Sequence, residues 1–112
     1  MGIAAHSADL CEFANHLSRS LLKKTKGGLR DQTACSLSDP QEQIEATVRF
    51  MKSSYSHKES GNYALAGAEL AENLRYYSAI GDIAKCGHML LEIADCLFCE
   101  KEFDAAIDCC AK

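Results

Sequence analysis

Three turn signals recur at twenty-residue intervals in the second half of this chain: Gly61-Asn62-Tyr63, Gly81-Asp82-Ile83 and Lys101-Glu102-Phe103. Each sets a breaker or polar turn before a large apolar residue, and a small residue follows three positions later, at Ala66, Cys86 and Ala106. The runs between the turns carry apolar residues at helical spacing. Helices of nearly equal length joined by tight turns must double back on one another. The chain therefore reads as one all-α domain over 1–112, with about five antiparallel helices stacked at a regular interval.

The first helix is expected over 7–24. Leu10, Phe13, Ala14, Leu17 and Leu21 form one stripe, Ser7 suits the N-cap, and Gly27-Gly28 would end it. Residues 27–38 read as a loop, polar and without periodicity. The second helix has a strong start: Asp39 as cap, Pro40 at the first helical position and Glu42 completing a capping-box pattern. Ile44, Val48, Met51 and Tyr55 are expected to form its core stripe, and the polar run from Ser53 to Glu59 should let it fade. The third helix covers about Asn62 to Ile80. Its many alanines, on more than one face, imply neighbours on both sides. The fourth runs from about Asp82 to Cys99, with Ile83, Cys86, Leu90, Ile93, Ala94 and Leu97 as its main stripe. The fifth starts near Glu102 and places Phe103, Ala106, Ile107 and Cys110 on one side. It is under three turns long, which is marginal for an isolated helix and leaves an opening for oligomerisation.

Charge bears on partners. Residues 1–30 carry a net charge of +3 and residues 31–112 a net of −7. An acidic body is a poor nucleic-acid binder, because that binding rests on Lys and Arg meeting phosphate. The basic run from Arg19 to Arg30 suits a helix C-terminus. No apolar run approaches the ~20 residues of a membrane span, and residues 1–15 lack the pattern of a secretory signal. Seven cysteines, an odd count at helical core positions, point to reduced thiols in a cytoplasmic or nuclear protein.

Residues Gly61–Ala71 and Lys101–Ala111 align at an offset of 40: Tyr63 meets Phe103, Ala66 meets Ala106 and Leu70 meets Cys110. With Leu90, Ile93-Ala94 and Leu97 in the helix before, this pattern resembles the tetratricopeptide repeat family. Residues 87–112 look like most of one repeat and 47–80 like a more diverged one. The interval exceeds the usual ~34 residues, and Ala94 and Leu90 stand where that family favours glycine and tryptophan. The resemblance implies a right-handed stack of helix hairpins. It also implies an adaptor or complex subunit whose concave groove holds a peptide or helix of another protein. In the fourth helix the groove face would carry His88, Leu91, Glu92, Asp95, Phe98 and Cys99. Its acids would favour a basic or apolar ligand. Leu91 and Asp95 stand where family members place a Lys and Asn clamp for a C-terminal carboxylate.

The competing reading is a small cysteine-rich zinc or thiol-redox protein using Cys96, Cys99, Cys109 and Cys110, with His88 nearby. Structural zinc wants four converging ligands, commonly from tight turns, and here the pair Cys96 and Cys99 falls within a helix. Cys86, Cys96 and Cys110 are expected at packing positions, and Cys99 or Cys109 as the more reactive thiol. No phosphate loop, zinc-protease motif or nucleophile elbow occurs, so no catalytic residue, cofactor or enzymatic activity is expected.

Overall fold

The repeated turns share one geometry. In a computed structural model, which describes residues 3–25 and 33–111, the chain forms α1 (Ile3–Leu22), α2 (Pro40–Glu59), α3 (Tyr63–Ile80), α4 (Ile83–Cys99) and α5 (Phe103–Ala111). No strand occurs among the described residues. After α2 the amide of Gly61 donates to the Lys58 carbonyl and that of Asn62 to His57. After α3, Gly81 donates to Ser78 and Asp82 to Tyr77; after α4, Lys101 donates to Phe98 and Glu102 to Leu97. Each pair satisfies carbonyls that a helix end leaves open, and the motif needs a left-handed residue at the turn. That residue has φ of +84° at Gly61, +77° at Gly81 and +63° at Lys101. Lys101 thus carries a Cβ in a conformation that costs an L-residue about 1 kcal/mol.

The next helix begins immediately after each turn. Asp82 caps α4, its carboxylate accepting from the Lys85 amide at 3.1 Å. Asp39 caps α2 by accepting from the Gln41 amide at 3.3 Å, with Pro40 behind it. Glu42 stands at the capping-box position but does not close the box, because no bond to the Asp39 amide forms.

α3 is the centre of the molecule, and α1, α2 and α4 all pack against it. Twelve of its eighteen residues are buried, so it has no wet side of the ordinary kind. Small side chains make this possible. At Gly67 a Cβ would come within 2.9 Å of Leu21 in α1 and 3.5 Å of Cys96 in α4, so two helices converge on one glycine. Leu10, Ala14, Leu17 and Leu21 of α1 and Cys86, Met89, Leu90, Ile93 and Leu97 of α4 complete this core. The small residues of the third helix do mark neighbours on more than one side, and the first helix docks on α3 of its own chain.

Several expectations are corrected. The first helix starts at Ile3, so Ser7 is interior rather than a cap. It ends at Leu22, where Thr25 turns back and its hydroxyl donates to the Leu22 carbonyl. The proposed Gly27-Gly28 stop lies outside the described residues. Within the expected loop, Ala34–Ser36 forms a short 3-10 turn, and Ala34 is buried with Ala46 and Tyr76. α2 does not fade at Ser53 but continues to Glu59. Its apolar stripe is not its core face: Ile44, Val48 and Tyr55 are 51%, 48% and 46% exposed, and only Met51 is half-buried. Ala46, Thr47, Phe50 and Ser54 face inward instead. Ile83, Phe103, Ile107 and Cys110, expected inside, are exposed, whereas Cys109 is buried.

The turns yield a direct test. Gly81 has nothing within 4 Å of the position a Cβ would occupy, so only the backbone conformation opposes a side chain there. Lys101→Gly should stabilise the protein by about 1 kcal/mol and Gly81→Lys should destabilise it by about the same amount. Urea unfolding of both variants measures this; a destabilised Lys101→Gly protein would refute the shared turn geometry.

Candidate functional site

α4 has two opposed faces, and the sequence dictates both. Cys86, Met89, Leu90, Ile93, Ala94, Cys96 and Leu97 recur at helical spacing and are buried. The remaining positions point outward, and all six expected groove residues fall among them: His88, Leu91, Asp95, Phe98 and Cys99 are exposed and Glu92 is half-buried. Leu91 is 65% exposed and Phe98 63%. Two large apolar side chains in water, two turns apart on a helix whose other side is fully packed, are the least explained feature of the surface.

The face is divided electrically. Lys58 reaches across from α2 and lies 2.7 Å from the Asp95 carboxylate and 3.5 Å from that of Glu92. The hydrogen bond to Asp95 is the main reason the Lys58 ammonium is held well above the ordinary lysine range, against the opposing pull of burial. Glu92 and Asp95 are therefore already engaged and tie α2 to α4. They are not an open seat for a basic ligand. Heptad spacing places Ile44, Met51 and Lys58 in one row on α2. On the other side, Leu91 and Phe98 continue into α5, where Phe98 and Phe103 meet edge to face with ring centroids 5.4 Å apart. A cleft of about 280 Å³ opens where α1, α4 and α5 meet, beside Leu10, Leu91 and Cys110.

Reading the sequence missed one polar cluster altogether. Ser53 and His57, one turn apart on α2, converge on the buried Glu69 of α3. The Ser53 hydroxyl donates to one carboxylate oxygen at 2.6 Å, and His57 Nδ1 donates to the other at 2.7 Å. The residue types are those of a hydrolytic triad, but the connectivity is not. Ser53 Oγ also lies 3.4 Å from His57 Nδ1, the same ring nitrogen that bonds Glu69, so serine and imidazole both converge on the carboxylate instead of forming a relay through the two ring nitrogens. The cluster solvates a buried charge. The Ser-x-x-x-His spacing, which puts both side chains on one helix face, was the available clue.

The four cysteines of the zinc reading do not come together as a site. Cys96 and Cys109 are buried, Cys99 and Cys110 are exposed, and no group of three or more His, Cys, Asp or Glu is placed to hold a metal among the described residues. Burial pushes the Cys96 thiol up to about 12, outweighing the opposite effect of Lys58. Burial also raises Cys86 and Cys35. No disulfide joins any cysteine among the described residues. Cys109, expected among the more reactive thiols, is packed inside.

No protein-family model, curated protein or solved structure matches the chain.

The thiols provide the test of this geometry. The thiolate is the reactive form, and a thiol titrating near 12 is almost wholly protonated at pH 8. Brief alkylation of the native protein at pH 8 should modify Cys99 and Cys110 and leave Cys96 intact, as read by peptide mass spectrometry. Modification of Cys96 at the same rate as Cys99 would contradict the packing of α4 on α3.

Proposed function

We propose that this chain is a protein–protein interaction module of tetratricopeptide-like type, an adaptor or a subunit of a larger complex with no chemistry of its own. Its partner is a peptide or helix of another protein, received on the outward face of α4. One observation carries the reading: Leu91 and Phe98 stand in solvent on a rigid helix packed on its opposite side. Keeping such residues wet costs solubility, and a partner that buries them removes that cost.

Other features support it. Helix hairpins joined by identical turns, at a twenty-residue interval, suit stacking into a binding surface. No described helix is long and apolar enough to cross a membrane. Cys86, Cys96 and Cys109, buried as packing residues, fit a reducing compartment, cytoplasmic or nuclear. The Ser53 and His57 side chains are both engaged by Glu69.

Affinity capture from a native extract tests the proposal, comparing the wild-type protein with a Leu91→Ser, Phe98→Ser double variant. Both side chains are exposed, so the variant should keep its helicity by circular dichroism. The captured protein should fall by at least about tenfold, the effect of losing two apolar contacts of ~1 kcal/mol each. A partner retained at the wild-type level would overturn the placement on α4.

A further inference from the structure

We propose that the seat is the edge where α4 and α5 lie side by side, and that its occupant is an amphipathic helix from another protein bearing lysines and arginines beside its apolar stripe. This rests on the interaction reading above and adds the position and the chemistry of the partner. The two antiparallel helices present adjoining apolar rows. Ile83, Leu91 and Phe98 come from α4, and Phe103 and Ile107 from α5, each more than half exposed. The edge-to-face pair of Phe98 and Phe103 closes one end of the rows. Near the other end lies the cleft of about 280 Å³, where Ile83, Gly87, Leu91 and Cys110 are joined by Leu10 of α1. At Gly87 the position of a missing Cβ has nothing within 4 Å, so this stretch of α4 is open to an incoming side chain. From Ile83 to Phe98 the row is about 22 Å long at 1.5 Å per residue, the reach of a four-turn helix.

Charge selects among occupants. Residues 82–111 hold two lysines against seven acids, a net of −5. Asp95 borders Leu91 and Phe98 on α4, and Asp104 and Asp108 flank Ile107 on α5. Asp95 is answered by Lys58, but Glu100, Asp104 and Asp108 enter none of the ion pairs among the described residues. A second copy would set −5 against −5 across the interface, and like charges opposed there are costly. An anionic membrane meets the same repulsion. A basic amphipathic helix matches both the apolar rows and their acidic border, which is the helix-in-groove mode of recognition.

The test uses two fluorescently labelled helical peptides of about five turns that share one leucine stripe. One is flanked by lysine and the other by glutamate. Each is titrated into the full chain and followed by anisotropy. The lysine peptide should bind at least about tenfold tighter, with the difference shrinking as salt is raised. Gly87→Trp, which fills the cleft from the surface, and Ile107→Ser should each weaken binding without loss of the cooperative thermal unfolding; Gly87→Trp should if anything melt higher, because it removes a glycine from a helix interior. Asp104→Lys with Asp108→Lys should narrow the preference for the lysine peptide.

Equal binding of both peptides would overturn the charge claim and leave the interaction reading standing. No binding of either peptide, while capture of a partner still depends on Leu91 and Phe98, would overturn the α4–α5 seat alone. No binding with no such capture would overturn both. Dimerisation in sedimentation experiments that Ile107→Ser abolishes would show the occupant to be a second copy. Retention on phosphatidylserine vesicles that Gly87→Trp abolishes would show it to be a membrane surface; either result overturns the proposal.

Discussion

The burial of α3 on three sides is the constraint from which the remaining structure follows. A helix surrounded in this way needs short side chains wherever a neighbour's backbone comes close. Ala66, Gly67, Ala68 and Ala71 provide them. It also needs an answer for every polar group it carries inside. Glu69 is met by Ser53 and His57, the Asn73 amide donates to the Thr47 carbonyl at 3.0 Å, and the Ser78 hydroxyl returns to the Arg75 carbonyl. Glu72 is paired with Arg75 one turn on. Among the described residues, Asn73 Oδ1 is the one buried side-chain oxygen left without a partner, a cost of about 1–3 kcal/mol that the surrounding packing offsets.

This arrangement decides what the outer helices have left over. α3 presents Glu69, Asn73 and Tyr76 towards α2, so α2 turns its polar and small side, with Phe50, inward. Its aliphatic row is displaced to the surface. α4 sends its larger apolar face to α3 and keeps Leu91 and Phe98 outside. α5 has α4 as its main neighbour, and Lys24, in the turn that follows α1, reaches across to pair with Glu102 just before it. The exposed apolar rows of the molecule therefore gather on its outer helices, away from α3.

Much of the fold was legible because turns are local. The twenty-residue interval, Asp39 as a cap and Gly61 and Gly81 as breakers each depend on a few adjacent residues. The alanines of α3 announced close neighbours for the same reason. Facing was less legible. In α2 the row Ile44, Val48, Met51 and Tyr55 has as good a helical period as a core face. Nothing within α2 reveals that its neighbour carries a buried carboxylate and a buried amide. Those groups require Ser53, His57 and the Thr47 backbone, and they set the rotation of the helix. That His88, Leu91, Glu92, Asp95, Phe98 and Cys99 lie off the inner face of α4 was legible, since that face is wide and unambiguous. Their electrical division was not, because Lys58 belongs to a helix more than thirty residues away in sequence.

Native-state hydrogen exchange, followed residue by residue, tests the central place of α3 most directly. If three helices seal it, the amides from Ala66 to Leu74 should be the slowest in the protein and open only with global unfolding, while those of α5 exchange through local opening. Amides of α3 exchanging as fast as those of α5 would contradict the account.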